Sequence, residues 1–125
     1  MKTEAVITAE LMKQNRLPVG CWEVKRTTGK SLAFDEFAEH QIDSLMKAYH
    51  KKLNIKIRDI GRHKKPFDGA TFLWSPAWCI CCYPAKNKNG YNAYAIEIDA
   101  WYNARRTCGR KSLTEKLASE IGDII

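Results

Sequence analysis

Residues 19–45 read VGCWEVKRTTGKSLAFDEFAEHQIDSL, and this stretch decides the fold class. Its beginning alternates as a β-strand does, and a turn over 28–30 follows. From Phe34 or Asp35 to about Leu53, apolar residues recur every three or four positions, which predicts a long amphipathic helix capped by Asp35. The pleat of the strand predicts two faces, one with Cys21, Glu23 and Lys25 and the other with Trp22, Val24 and Arg26.

The rest of the chain predicts further helices and strands. A short helix covers about Glu4 to Asn15, and two more run from Asp99 as cap to Thr107, and from a capping box of Ser112 and Glu115 towards Ile121. The order α-β-α-β-β-β-β-α-α predicts a single α+β domain over residues 1–125, with a mixed central sheet flanked by helices. The later strands are NIKIRDI (54–60), FDGATFLW (67–74), AWCICCY (77–83) and YNAYAIEI (91–98), with the second and third of these forming an antiparallel hairpin in the simplest arrangement.

Composition favours a polyanionic partner. The 125 residues carry a net charge of +7, with basic clusters at 62–65 and 105–106, which suits nucleic acid; a solvated basic surface is the alternative. No apolar run approaches the roughly 20 residues that a membrane-spanning helix needs. The N-terminus mixes Lys and Glu into its apolar positions, unlike a signal peptide, so we expect a cytoplasmic protein.

The five cysteines argue against a disulfide framework, because their number is odd and no signal peptide is expected. Cys79 and Cys81 should share one strand face and Cys82 the other, as buried free thiols. A zinc-stabilised interaction domain using these three residues is the alternative. We expect the large aromatic residues to lie in the core or a dimer interface rather than to stack on bases, namely Trp74, Trp78, Trp101 and Tyr102.

Two acidic positions could carry chemistry. Glu23 and Lys25 share one strand face, so a hard cation bound by Glu23 would have a stabilising ammonium beside it. Asp68, in the segment KPFDG, enters a strand at a sheet edge, where Gly69 permits close approach of a backbone or ligand. Gln41 on the long helix carries no information alone.

Together, the stretch from CWEVKR through HQIDSL, the segment KKPFD and the apolar strand after it resemble the PD-(D/E)XK nuclease superfamily. More narrowly, they resemble the small Holliday-junction resolvases of phages and bacteria, the RecU-like group, over roughly residues 19–83. The resemblance implies a restriction-endonuclease-like core. It also implies an endonuclease that depends on Mg²⁺ or Mn²⁺ and cuts branched DNA in recombination or repair.

The resemblance also implies roles for individual residues. Glu23 would be a metal ligand, Lys25 would lie near the scissile phosphate, and Gln41 would support the site. The N-terminal helix of such nucleases often supplies another carboxylate, for which Glu4 is the first candidate and Glu10 the second.

One departure from the superfamily concerns its metal-binding Asp, which usually lies on a strand before E-x-K. No Asp precedes Asp35 here, so Asp68 is the natural substitute and Asp59 its competitor. If the PFD strand lies beside the E-x-K strand, Asp68 and Glu23 can face the same metal ion in spite of their reversed order.

The basic loop should bind DNA without reading its bases. Because branched DNA is symmetric, a homodimer is the expected assembly. The alternatives are a non-catalytic DNA-binding module of the same fold and a nicking or restriction-type nuclease that acts on linear duplex. The residues expected to hold phosphates are Lys30, Arg62, His63, Lys64 and Lys65.

Overall fold

The computed structural model describes residues 1–59, 64–87 and 89–125. Within them the helices are α1 (Glu4–Lys13), α2 (Glu39–His50), α3 (Ile98–Thr107) and α4 (Glu115–Ile121), with a 3₁₀ turn at Phe34–Glu36. The strands are β1 (Cys21–Arg26), β2 (Ser31–Ala33), β3 (Lys52–Lys56), β4 (Gly69–Leu73), β5 (Ala77–Pro84), β6 (Tyr91–Glu97), β7 (Ser112–Thr114) and β8 (Asp123–Ile124).

Strand β5 lies inside a four-stranded sheet of order β1-β5-β6-β8. Its apolar run AWCICCY is buried on both faces, as a central strand requires. β5 pairs in parallel with β1, so that Glu23 is opposite Cys79, and antiparallel with β6. The expectation of an α+β fold with a mixed central sheet flanked by helices is therefore confirmed.

Helices cover both faces of this sheet. On one face, Ile42 and Leu45 of α2 and Trp101 of α3 pack with Cys79 and Cys81. On the other face, α1 packs against a second apolar cluster. Side chains alternate between the two faces of a strand, and Glu23 and Lys25 are opposite Cys79 and Cys81. α2 therefore borders the face of β1 that carries Glu23 and Lys25. The second cluster comprises Ile7, Leu11, Val24, Ile80, Cys82, Ala93 and Ala95.

The expected β4–β5 hairpin is wrong. β4 pairs antiparallel with β3, with Leu53 opposite Phe72, and these two strands form a sheet of their own. β5 is buried except at Trp78 and Pro84, which are partly exposed, and it has a strand on each side, whereas β4 is half-exposed and has one. The PFD segment consequently does not lie beside β1, so the arrangement by which Asp68 was to reach Glu23 is not the one formed.

The long helix is shorter than its apolar pattern predicts, because it ends at His50 and Leu53 belongs to β3. Asp35 lies in the 3₁₀ turn and does not cap the helix. The cap residue is Ala38, whose backbone N–H donates to the side-chain Oε1 of Gln41 at 3.0 Å. Gln41 thus supplies one half of a capping box.

Two later caps also differ from expectation. α3 begins at Ile98 with Glu97 as its N-cap, so Asp99 is not the cap but lies in the first turn. Its negative charge there interacts favourably with the helix dipole. α4 is capped by Thr114, whose hydroxyl accepts from the N–H of Leu117 at 3.2 Å. Ser112 instead begins β7, which pairs with β2. A strand was expected at 54–60, but β3 ends at Lys56. Residue 60, the last of the expected strand, lies outside the described ranges.

The cysteine prediction is confirmed where the structure describes it. Cys79 and Cys81 belong to the cluster on the α2 face and Cys82 to the cluster on the α1 face, and all three are free and buried. Burial raises the pKa of Cys82 to about 12, with the Glu4 charge as a smaller cause. Burial also raises the pKa of Cys79 and Cys81, which favours the neutral thiol over the thiolate that zinc binds. No helix in the described ranges is both long and apolar enough to span a membrane.

Candidate functional site

The site begins with the anchoring of β1 at the edge of the main sheet. Gly20 has φ +119°, and a Cβ there would lie 2.0 Å from the carbonyl oxygen of Pro76. Only glycine permits this approach, after which the N–H of Cys21 donates to the same oxygen at 2.9 Å. The contact brings β1 alongside the start of β5.

A cleft of about 440 Å³ lies between β1, α2 and the hairpin. Its apolar wall comes from all three elements, and its polar side chains lie on β1 and on the first turns of α2. A concave, mostly apolar surface with a few converging polar groups is typical of a ligand site. The cleft is lined by Cys21, Trp22, Glu23, His40, Gln41, Ser44, Leu45, Leu53, Ile55 and Phe72.

Three side chains expected in the site converge on one oxygen atom. Gln41 Nε2 donates to Glu23 Oε1 at 2.9 Å, and Lys25 Nζ lies 3.4 Å from the same oxygen. The Lys25 side chain is only 17% exposed and that of Glu23 32%, so the pair is partly shielded from water. In such surroundings charges interact more strongly than on an open surface. Glu23, Lys25 and Gln41 are therefore brought together as expected.

Gln41 connects this carboxylate to the start of α2. Its Oε1 accepts from the N–H of Ala38, which fixes the orientation of the amide and turns Nε2 towards Glu23. The amide therefore acts both as a helix cap and as a positioning group for the acid. No feature of the sequence alone indicated that this side chain reaches β1.

Asp68 does not line the cleft. Its side chain is 94% exposed and lies 3.3 Å from Lys65 Nζ. Its carbonyl oxygen accepts from the N–H of Ile57 at 2.8 Å, so the β3–β4 ladder continues one step to Asp68. Alternation places Asp68 on the hairpin face of Phe72, which lines the cleft, but at the outer end of that face.

The competing acids have other partners. Asp59 lies 3.5 Å from the same Lys65 ammonium as Asp68 does. The Oε2 of Glu4 accepts from the backbone N–H of Arg26 at 3.3 Å, in a depression separate from the Glu23 cleft. Glu10 forms an ion pair with Lys2, and it is this contact above all that lowers the pKa of Glu10. None of these three carboxylates lines the cleft.

The residues expected to bind phosphates are only partly described. Lys30 and Lys64 are exposed, whereas the Lys65 side chain is 21% exposed and bridges Asp59 and Asp68. Arg62 and His63 lie outside the described residues. In the described part of the loop, the charge of Lys65 is therefore already neutralised in part by Asp59 and Asp68.

The donor set of the cleft is suited to a hard cation held by one protein carboxylate. Mg²⁺ commonly binds one or two carboxylates together with substrate phosphates. Glu23 provides such an oxygen ligand, while burial raises the pKa of the Cys21 thiol and keeps it from acting as a thiolate. Among the described residues, no three His, Cys, Asp or Glu side chains are placed to share a metal ion. Glu23 is the carboxylate that the described lining of the cleft offers to a cation.

Sequence patterns did not indicate the rest of the cleft. His40, Ser44 and the hairpin residues Leu53 and Phe72 come together only because the hairpin packs beside α2. The adjacency of His40 to Gln41 in the sequence was the one available signal. Comparison of the chain with protein-family models, curated proteins and solved structures finds no match.

Proposed function

We propose that the chain is a metal-dependent endonuclease that hydrolyses phosphodiester bonds in branched DNA, in recombination or repair. The observation that carries the proposal is the convergence of Lys25 Nζ and Gln41 Nε2 on Oε1 of Glu23, a residue that lines the cleft together with Gln41. An acid, a shielded ammonium and an oriented amide at one point form a set suited to phosphoryl chemistry. The resemblance of the same residues to the PD-(D/E)XK superfamily points to the same reaction.

Glu23 would hold Mg²⁺ or Mn²⁺ together with a substrate phosphate. Asp68 lies outside the cleft, on the same hairpin face as the lining residue Phe72. Such an ion, when bound, polarises the phosphate and lowers the pKa of a water molecule. Lys25 would neutralise charge that develops on the phosphate, because its ammonium lies 3.4 Å from Oε1 of Glu23, the residue that would hold the ion. Gln41 keeps the Glu23 carboxylate in one orientation.

The basic charge supports a DNA substrate. The outward face of β3 carries Lys52 and Lys56, both exposed, and Arg58 follows in the same alternation. These side chains lie on the face of the hairpin turned away from the cleft, where they would hold phosphates of DNA that extends beyond it. A homodimer would present two such sites to a symmetric four-way junction.

A non-catalytic DNA-binding module is the second candidate. It is favoured by one observation, that Glu23 is the single carboxylate among the residues lining the cleft. A module of this kind would bind junction DNA equally well in Mg²⁺ and in EDTA and would leave it intact.

Cleavage assays with a labelled four-way junction and a linear duplex of the same sequence test the proposal. We expect cuts in the junction with Mg²⁺, none with EDTA, and little cutting of the duplex. Equal cutting of both DNAs would make the enzyme a nicking or restriction-type nuclease. An intact junction at every Mg²⁺ and Mn²⁺ concentration would contradict the nuclease and favour the binding module.

The basic loop gives a separate prediction for binding. The double change Lys64→Ala and Lys65→Ala should weaken junction binding in EDTA and reduce the slope of log affinity against log salt by about 1 to 2. Lys64 should account for more of the loss, because Lys65 already pairs with Asp59 and Asp68. The matched control is Lys116→Ala on α4, which packs against β6, β7 and β8. Unchanged affinity in the double variant would remove this loop from the DNA-binding surface.

A further inference from the structure

Trp74, in the turn between β4 and β5, is held in solvent by a strained backbone. Its side chain is 73% exposed and its φ is +47°, a conformation that bulky residues seldom adopt. The turn is fixed by two hydrogen bonds, from the N–H of Trp74 to Lys51 O at 3.2 Å and from the N–H of Ser75 to Ala48 O at 2.7 Å. Trp74 was expected in the core or in a dimer interface, and its exposure shows that it does not lie in the core. Backbone strain of this kind concentrates at functional positions.

Beside the indole lies a depression of about 520 Å³ with aromatic walls. Its polar groups are already partnered: Tyr49 OH donates to Glu97 Oε1 at 3.2 Å, and Trp78 Nε1 donates to Val19 O at 3.0 Å. The aromatic walls are thereby fixed in orientation, and what remains is a surface suited to a flat, apolar ring. The lining residues are Tyr49, His50, Trp74, Pro76, Trp78 and Glu97.

This depression adjoins the Glu23 cleft. Leu45 lines the cleft and Tyr49 lines the depression, one turn further along α2 and so about 5 Å away along its axis. Cys21 lines the cleft, and its N–H bonds to Pro76, which lines the depression. A polymer that lies in the cleft and continues along α2 towards His50 would reach the depression beside the indole.

We propose that Trp74 stacks on an unpaired nucleobase of the DNA strand whose phosphate lies in the Glu23 cleft. The proposal rests on the proposed function and makes its substrate specific: DNA with unstacked bases beside the cut. Every base offers a face for stacking, so such a platform tolerates any sequence. Lys51 and Lys52 are exposed beside the turn and suit a polyanion.

Fluorescence anisotropy with three labelled DNAs, in EDTA to prevent cleavage, tests this proposal. The DNAs are a single strand, a four-way junction with unpaired bases at its centre, and a blunt duplex. We expect Trp74→Ala to weaken binding of the first two by about 5-fold or more and to leave the duplex unchanged. Trp74→Phe should keep most of the affinity, and Met12→Ala, an exposed apolar residue on α1, should keep all of it.

Two further readouts keep the proposal falsifiable. Trp74→Gly relieves the positive φ, so its melting temperature should equal or exceed that of the wild type while binding of unpaired DNA falls. Equal affinity of Trp74→Ala and wild type for the single strand would overturn the proposal. It would also be overturned if affinity fell equally for all three DNAs while sedimentation showed a dimer converted to a monomer. Selective binding of unpaired bases without any cleavage in Mg²⁺ would refute the nuclease and leave the stacking role intact.

Discussion

Replacing Glu23 by Gln should reduce cleavage of a four-way junction by ~10³-fold or more while leaving junction binding within about 3-fold of wild type. The amide keeps the shape of the side chain but loses the negative charge that a divalent cation needs. The hydrogen bond from Gln41 remains possible, since an amide oxygen also accepts, so the fold around the cleft should persist. Single-turnover cleavage in Mg²⁺ and anisotropy in EDTA give the two quantities.

The matched control is Glu120→Gln, which removes one exposed carboxylate from α4 and should cleave at the wild-type rate. Asp68→Asn answers a related question within the same series. A loss comparable to that of Glu23→Gln would indicate that Asp68 reaches the ion when DNA is bound. Wild-type cleavage by Glu23→Gln would contradict the site, whatever Asp68→Asn does.

Replacing Lys25 by Ala should lower the cleavage rate by about 10²- to 10³-fold, with little change in affinity for the junction. The ammonium is largely shielded from water and lies 3.4 Å from Glu23, so its charge acts at close range on a phosphate in the cleft. DNA affinity depends instead on the many exposed lysines and arginines, to which one shielded ammonium adds little.

Lys25→Arg and Lys116→Ala complete that test. Arginine keeps the charge but not the point-like ammonium, so it should restore part of the rate. Lys116→Ala removes an exposed lysine and should leave the rate unchanged. If Lys25→Ala loses affinity and rate in the same proportion, Lys25 only binds DNA and takes no part in the chemical step.

Much of the fold could be predicted because the signals are local. The alternation in β1 and the apolar stripe of α2 each specify an element without reference to the rest of the chain. Strand pairing does not work in that way. β1 and β5 are more than fifty residues apart, and β4 joins β3 rather than its sequence neighbour β5 because of how each is buried. Strands as short as β2 and β8 carry too few residues to show a pattern.

In the candidate site, too, local patterns predict one part, and the other part depends on tertiary packing. That Glu23 and Lys25 share a face follows from the pleat alone. That Gln41 meets them depends on how α2 crosses the sheet, and its choice as a site residue came from the resemblance. The position of Asp68 could not be predicted, because it depends on the pairing of the hairpin and on the partner chosen by Lys65.

β1 is an edge strand of the main sheet, and an exposed edge strand promotes aggregation. An edge strand has unpaired peptide N–H and C=O groups with which a strand of another chain can pair, and such pairing leads to aggregation or domain swapping. Here the N–H of Thr27 turns inward to Cys82 O, so that of Arg26 faces outward, where the Glu4 carboxylate covers it. The carboxylate of Glu4, from the first helix, thus occupies an outward N–H of β1 that could otherwise pair with a strand of another chain.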